Sequence, residues 1–220
     1  MIERRYLIYL TILLSAAFLM GAIAYPFLPH PAPIHWNWRG QIDGYGPPWI
    51  DAFLLPLVVA FILILVLALS EVFYKTPLPP GFCRVLGKVL VSFMVLVLII
   101  QGMLLLQVLG RPISVGRVMP VALGLFFAVI GNWFGKIRRN PYMGIRTPWT
   151  LANDVVWERT HRIGGRLFVA DGIATAIAGL FAPVWASLGV LVVGVVALLI
   201  WSMIYSRQLY KRIEATTPQK

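Results

Sequence analysis

The sequence contains few charged residues, and most of these are basic. Of its 220 residues only 12% are charged and 60% are hydrophobic, with eight acidic residues against 19 lysines and arginines. Such a composition excludes a soluble globular domain and a disordered chain, because both need a polar surface. The single cysteine, Cys83, excludes an intramolecular disulfide and a thiolate metal cluster.

Charged residues and histidine are absent from five long stretches, residues 6–29, 52–70, 89–110, 118–135 and 172–206. A helix rises about 1.5 Å per residue and must cover about 30 Å of hydrocarbon, so each of the first four predicts one transmembrane helix. The fifth stretch has 35 residues and contains Pro183. We predict two helices there, over residues 166–182 and 186–205. The predicted fold class is therefore all-α, a polytopic membrane protein with six transmembrane helices.

The distribution of lysine and arginine predicts the orientation in the membrane. With the N-terminus inside, the cytoplasmic segments contain 16 of these residues and the outer segments contain three. The positive-inside rule then places both termini and residues 140–165 in the cytoplasm, and residues 29–48 outside. The net charge of +11 is explained by contact with anionic membrane lipids, and we predict no direct binding of nucleic acid.

We expect one membrane domain over residues 1–220. Within it, residues 6–75 form a first helix pair with the outer loop. Residues 86–206 form a four-helix region with a cytoplasmic loop at 136–166.

Residues 140–165 form a polar segment, NPYMGIRTPWTLANDVVWERTHRIGG. The residue before a proline avoids the helical region, so Thr147 is expected to be extended. Thr150 is a plausible N-cap for a short helix over residues 151–162, ended by Gly164 and Gly165. Such a helix would lie along the inner membrane surface with Trp157 dipping into the bilayer. Glu158 and Arg162 have the spacing of an i,i+4 ion pair.

This inner segment is a candidate binding surface for a ligand or partner. Arg146 could hold a carboxylate or phosphate with two hydrogen bonds, and His161 could act as a general base or a switch. The alternative is a membrane-surface cap, with arginines on lipid phosphates and tryptophans at the interface. The candidate residues are Asn132, Asn140, Gly144, Arg146, Thr147, Pro148, Trp149, Trp157, Glu158, Thr160 and His161. Of these, Asn132 and Asn140 are also placed to satisfy backbone groups at the end of the fourth helix.

Residues 29–48 form a second candidate surface, with prolines that favour an extended start and glycines that permit tight turns. Its candidate ligand-binding residues are His35, Asn37, Gly40, Asp43 and Tyr45. These side chains could contact a peptide or a lipid, or could satisfy the backbone of the loop. Histidine and aspartate can bind zinc, but the ligands here are too few. We predict no metal and no cofactor.

Three polar residues lie within the predicted spans. We expect Gln101 and Gln107 to donate hydrogen bonds between helices. Asp171 is a functional candidate because a carboxylate inside a membrane is costly, although Arg166 could be its partner near the interface.

Two motifs resemble a known family. Residues 144–151, GIRTPWTL, and residues 156–165, VWERTHRIGG, are similar to the signature of the SdpI family, and Gly131-Asn132 and Gly135-Lys136 match its preceding helix end. The outer loop, from Pro33 to Gly46, resembles the small domain of unknown function found at the front of SdpI-like proteins. Asp171 departs from the family pattern, which has a small or apolar residue there.

The resemblance implies a bacterial cell-membrane protein that protects against a secreted peptide toxin. It also implies a possible relay of toxin binding to a cytoplasmic repressor. One alternative is a membrane enzyme that acts on a lipid or peptide at the inner face, using His161 with Glu158 or Asp154. Recognised nucleophile and phosphate-loop motifs are missing from the sequence, so the enzyme is less favoured. A second alternative is a small transporter, for which the spans have few polar residues.

Overall fold

The computed structural model describes residues 2–39, 41–73 and 81–216 of the chain. Its long helices are α1 (Arg4–Ala24), α2 (Leu55–Phe73), α3 (Phe82–Val108), α4 (Val115–Phe134), α6 (Asp154–Phe181) and α7 (Val184–Thr216). A short helix, α5 (Pro148–Ala152), precedes α6. A 3₁₀ turn (Tyr25–Phe27) follows α1, and a π-helical turn (Ile50–Leu54) precedes α2.

Six helical segments are long and apolar enough to cross a bilayer. Large apolar side chains cover their outer faces; Leu19, Phe61 and Val193, for example, are 61%, 66% and 68% exposed. In water such a surface would aggregate, whereas lipid tails cover it without cost. The six predicted spans are confirmed, and the protein is a multi-pass membrane protein.

Residues 29–48 contain a β-hairpin, which was not among the predicted elements. Strands β1 (Ala32–Trp36) and β2 (Ile42–Gly46) pair antiparallel, with irregular register on both sides of His35. The chain is mostly helical, as predicted, and this two-stranded sheet is an addition to the helices. The alternating prolines indicated an extended chain, but they did not reveal that a second strand would pair with it.

The hairpin, the 3₁₀ turn and the α6–α7 turn all lie at one end of the bundle, called here the hairpin end. The opposite end carries the start of α3, the end of α4 and residues 140–153. We call residues 140–153 the clasp segment and this end the clasp end. At the clasp end Arg84 of α3 contacts Glu3, which precedes α1, at 3.2 Å. The Arg84 guanidinium, together with Arg5, holds the pKa of the Glu3 carboxyl below its ordinary value.

Helices α4 and α6 pack closely, because glycines face each other across their interface. A Cβ added at Gly172 would lie 2.4 Å from the carbonyl oxygen of Gly124, and one added at Gly165 would lie 2.7 Å from that of Gly131. Both pairs are separated by seven residues along their helices, so they recur on one face. Small residues at such an interface let two membrane helices approach backbone to backbone.

Helices α1, α2 and α3 pack through ordinary apolar side chains, including Leu10, Val59 and Met94. Gln101 of α3 is 1% exposed and donates hydrogen bonds to the carbonyl oxygens of Ala17, at 3.1 Å, and Ala52, at 3.0 Å. The prediction that Gln101 joins helices is confirmed. It fastens α3 to α1 and to the π-helical turn.

The predicted inner-surface helix over residues 151–162 is wrong. Asn153, not Thr150, begins the long helix, and its side chain accepts hydrogen bonds from the backbone of Val155 and Val156. Helix α6 then continues through Gly164 and Gly165 to Phe181, so it includes the fifth span. The two glycines do not end the helix. Their missing side chains leave room for close contacts, with Ile145 at Gly164 and with the backbone of α4 at Gly165.

Candidate functional site

The clasp segment is tied together by Asn140. Its amide nitrogen donates to the carbonyl oxygens of Arg138 and Met143, and its side-chain oxygen accepts from the backbone of Tyr142 and Met143 at 2.8 and 2.7 Å. Asn140 is 3% exposed. All of its hydrogen bonds are local, so it shapes the turn and presents no free group to a ligand.

His161 holds the middle of the clasp segment against α6. Its Nε2 accepts from the backbone N–H of Ile145 at 2.9 Å, so Nδ1 carries the proton and donates to the carbonyl of Trp157, also at 2.9 Å. The ring stacks on Trp157 with 4.0 Å between centroids and is 1% exposed. Both ring nitrogens are therefore engaged, and neither can act as a general base on a substrate in this arrangement.

Gly144 makes the contact between His161 and the clasp segment possible. Its φ is +124°, a conformation that side-chain-bearing residues rarely adopt. A Cβ at this position would lie 2.4 Å from Nε2 of His161. Glycine is thus required both by the backbone conformation and by the space.

Thr147 and Thr150 form a capping box at the start of α5. The backbone N–H of Thr147 donates to the Thr150 hydroxyl, and the backbone N–H of Thr150 donates to the Thr147 hydroxyl. The Thr147 hydroxyl also lies 2.9 Å from the Ser206 hydroxyl on α7. Both threonines are buried, and they connect the clasp segment to the last helix.

Trp157 and Thr160 are buried parts of the same framework. Trp157 is 2% exposed, and its indole N–H donates to the carbonyl of Ile137 at 2.7 Å, so the predicted insertion of Trp157 into the bilayer is wrong. This residue lies on a buried face of α6, in a cluster with Val85 and Ile137. Thr160 is fully buried, and its hydroxyl has no hydrogen-bond partner within the described residues.

Several predicted residues remain on the surface of the clasp end. Arg146, Pro148 and Asn132 are exposed and Trp149 is half-buried. Arg146 takes part in none of the ion pairs formed by the described residues. These side chains, unlike His161 and the threonines, can reach a partner.

A cavity of about 330 Å³ also lies at the clasp end. It is lined by Lys136, Arg138 and Arg139 on one side and by Asp154, Trp157 and Glu158 on the other. Three of these charges are neutralised locally, because Arg139 pairs with Asp154 at 2.7 Å and Glu158 forms the predicted i,i+4 ion pair with Arg162. Lys136 lies over the ring of Trp133. The remaining excess charge at the cavity is positive, which suits an acidic group.

At the hairpin end, the predicted residues mainly support the hairpin. His35 and Asp43 pair across the strands at 2.5 Å. The Asn37 side chain accepts from the backbone of Arg39 and Gln41 at the tip. Tyr45 is 62% exposed and can contact a ligand. Gly40 lies outside the described residues.

Metal binding has no structural support in the described ranges. No three histidine, cysteine, aspartate or glutamate side chains among these residues are grouped closely enough to hold a metal ion.

Asp171 does not pair with Arg166 in the described structure. Its carboxylate packs against α7, where a Cβ added at Gly194 would collide with it. One carboxylate oxygen is buried without a hydrogen-bond partner among the described residues.

Comparisons with known proteins agree with the two predicted motifs. Residues 136–206 match the SdpI/YfhL protein family, and residues 12–60 match a domain of unknown function, DUF1648. The chain is 27% identical over 207 residues to the protein named Immunity protein SdpI of Bacillus subtilis (strain 168), covering 93% of this chain and 96% of the relative. No solved structure matches the chain. These matches confirm the resemblance predicted from the sequence and support a place in the cell membrane.

Proposed function

We propose that this protein, which matches the SdpI/YfhL family over residues 136–206, is a membrane immunity protein that gives resistance to a peptide toxin. The observation that carries the proposal is the alignment with a relative named as an immunity protein, which spans both chains almost completely. An alignment of this extent includes the hairpin, all six spans and the clasp segment.

The geometry of the clasp segment favours binding over catalysis. His161, which would be the base of a membrane enzyme, uses both ring nitrogens in hydrogen bonds with backbone groups. Glu158, its proposed partner, pairs with Arg162 instead. A rigid segment with buried polar groups and an exposed arginine is the arrangement expected of a docking surface.

The finer part of the proposal concerns a relay. In the orientation given by the basic residues, the clasp end faces the cytoplasm, and Arg146 with Trp149 presents a surface for a regulator such as a repressor. An exposed arginine suits an acidic partner that can form two parallel hydrogen bonds. The clasp end also contacts membrane lipids through its remaining basic residues.

The first prediction tests immunity and the clasp surface together. The chain is expressed in a bacterium that is sensitive to the toxin resisted by the Bacillus subtilis relative and that lacks its own immunity protein. We expect survival to rise above that of the empty vector. Replacement of Arg146 by alanine, or of Trp149 by alanine, should reduce this survival because an exposed or half-buried binding group is lost.

Arg212→Ala is the matched control, because Arg212 is an exposed arginine at the end of α7 and outside the clasp segment. Survival should remain unchanged in this variant. Membrane levels of all variants are compared by immunoblot. Survival no better than the empty vector, at a normal membrane level of the protein, contradicts the immunity proposal. Equal loss in Arg146→Ala and Arg212→Ala contradicts the role of the clasp surface.

A further inference from the structure

A cavity of about 630 Å³ lies at the hairpin end, between the tip of the hairpin and the ends of three spans. Trp38 and Arg39 at the tip form one side. Gly116 and Arg117 at the start of α4, with Phe181 and Trp185 around the α6–α7 turn, form the other. The volume is within the range of pockets that bind small ligands or a few residues of a peptide.

Two arginines from distant parts of the sequence line this cavity. Arg39 and Arg117 are both exposed, and neither takes part in an ion pair with any described residue. The nearby acid of the hairpin, Asp43, is engaged by His35. The Arg39 guanidinium lies over the ring of Trp38 at 4.6 Å, a contact that orients it without neutralising its charge. The cavity therefore carries two uncompensated positive charges.

The ends of two helices add to this positive potential. Helices α4 and α7 both begin at the cavity, and their first turns touch, since a Cβ added at Gly116 would lie 3.6 Å from Cβ of Val184. The first N–H groups of a helix have no acceptor inside it, and the helix dipole is positive there. Ser114, the N-cap of α4, makes no capping hydrogen bond with its side chain.

Aromatic side chains supply the apolar part of the wall. Trp38, Trp185 and Phe181 are 61%, 57% and 86% exposed. Exposed rings beside two arginines fit a ligand that joins an apolar chain to an anionic group. An inorganic anion would leave these rings in water.

We infer that this cavity binds the C-terminal carboxylate of an apolar peptide, with Arg39 and Arg117 on the carboxylate and Trp38, Phe181 and Trp185 on the last side chains. This deepens the proposed function, on which it rests for the class of ligand. Arg39 belongs to the hairpin, which is outside the spans, so a ligand between the two arginines enters from the water. A membrane lipid approaches instead from the side of the spans, where its phosphate would reach Arg117 without Arg39.

The experiment uses the purified full chain in nanodiscs of zwitterionic phosphatidylcholine. The probes are a short N-acetylated peptide of leucine, alanine and glycine with a free carboxyl terminus, and the same peptide amidated. Binding is followed through the fluorescence of the protein's tryptophans. We expect the free acid to bind at least about tenfold more tightly than the amide, as charge-assisted hydrogen bonds to arginine require.

The double variant Arg39→Gln, Arg117→Gln should bind the free acid and the amide equally well. Arg111→Gln is the matched control, because Arg111 is exposed at the same end but does not line the cavity. The Arg111→Gln variant should still bind the free acid more tightly than the amide, by the same factor as the unsubstituted protein. All three side chains are exposed, and an unchanged melting temperature confirms that the variants fold.

Three outcomes would overturn the inference. The first is equal binding of the free-acid and amidated peptides, including no binding of either. The second is a difference in their affinities that persists in the double variant. The third is arginine-dependent binding of short-chain phosphatidic acid without preference for the free-acid peptide. The last result would identify a lipid phosphate site. Because the probe is not the toxin, binding can succeed when the survival assay fails, and the two proposals are separated.

Discussion

At the scale of single residues, the clasp segment depends on side chains that each make several contacts. His161 uses its two nitrogens on two backbone groups sixteen and four residues away, and its ring on Trp157. Phenylalanine could replace the stacking but would leave the N–H of Ile145 without an acceptor. A buried donor without a partner costs about 1–3 kcal/mol, so histidine is specified by chemistry as well as by shape.

The second prediction concerns Gly144. Gly144→Ala places a Cβ against His161 and forces alanine into a positive φ. Gly110→Ala is the matched control, because Gly110 also has a positive φ, of +80°, but has nothing within 4 Å. We expect Gly110→Ala to cost about 1 kcal/mol of backbone strain and Gly144→Ala clearly more, of order 3 kcal/mol.

The measurement is the thermal unfolding of both variants in the same detergent. Gly144→Ala should lower the melting temperature further than Gly110→Ala does. Equal shifts would show that the space around His161 is not restrictive, and would contradict the described contact.

Some of these residue roles could be predicted from the sequence and others could not. The ion pair of Glu158 with Arg162 and the link made by Gln101 follow from local spacing and from the cost of a polar group in a membrane. The contact of His161 with Ile145 has no local signal, because the acceptor lies on a helix and the donor on a turn. The sequence could mark this histidine as a candidate, but it could not predict the hydrogen bond with Ile145.

At the scale of elements, the helix boundaries show where local rules compete. Thr150 and Asn153 are both good N-caps, and only the structure decides that Asn153 begins the long helix. Gly164 and Gly165 have the composition of a helix end, yet glycine also serves close helix packing. The spans themselves were predictable, because the length of the apolar stretches is set by the thickness of the bilayer.

The third prediction concerns the packing of α4 on α6. Gly172→Ala places a Cβ 2.4 Å from the Gly124 carbonyl oxygen, and backbone atoms on both helices cannot move aside as a side chain can. The helices must separate, with a loss of order 2 kcal/mol from overpacking. Gly189→Ala is the control, because Gly189 also lies in a helix but has nothing within 4 Å.

Thermal unfolding in detergent provides the measurement. Gly172→Ala should lower the melting temperature, whereas Gly189→Ala should leave it unchanged or raise it, since alanine favours a helix. A melting temperature of Gly172→Ala equal to that of the unsubstituted protein would contradict the close contact.

At the scale of the whole molecule, the bundle separates two polar surfaces that the sequence placed on opposite sides. The hairpin end and the clasp end are built from segments far apart in the chain. The cavity at the hairpin end, for instance, joins the hairpin tip, the start of α4 and the α6–α7 turn. No local pattern in the sequence could have revealed such an assembly, because it depends on how the six spans pack.

The fourth prediction tests the orientation given by the basic residues. In a Cys83→Ser background, cysteines are introduced separately at exposed positions, as Tyr45→Cys in the hairpin and Arg138→Cys at the clasp end. A maleimide reagent that cannot cross the membrane should label position 45 in intact cells. It should label position 138 only after the cells are permeabilised.

The Cys83→Ser parent without an added cysteine is the control for background labelling. Labelling of both positions in intact cells would rule out two surfaces on opposite sides of the membrane. Labelling of position 138 alone would reverse the orientation on which the proposed relay depends.

Helix α6 runs without interruption from Asp154 beside the clasp segment to Phe181 at the hairpin-end cavity. Its 28 residues correspond to about 42 Å at the standard helical rise. The same helix carries His161, which holds the clasp segment through Ile145, and Phe181, which lines the cavity. One continuous helix thus contributes residues to both ends of the bundle.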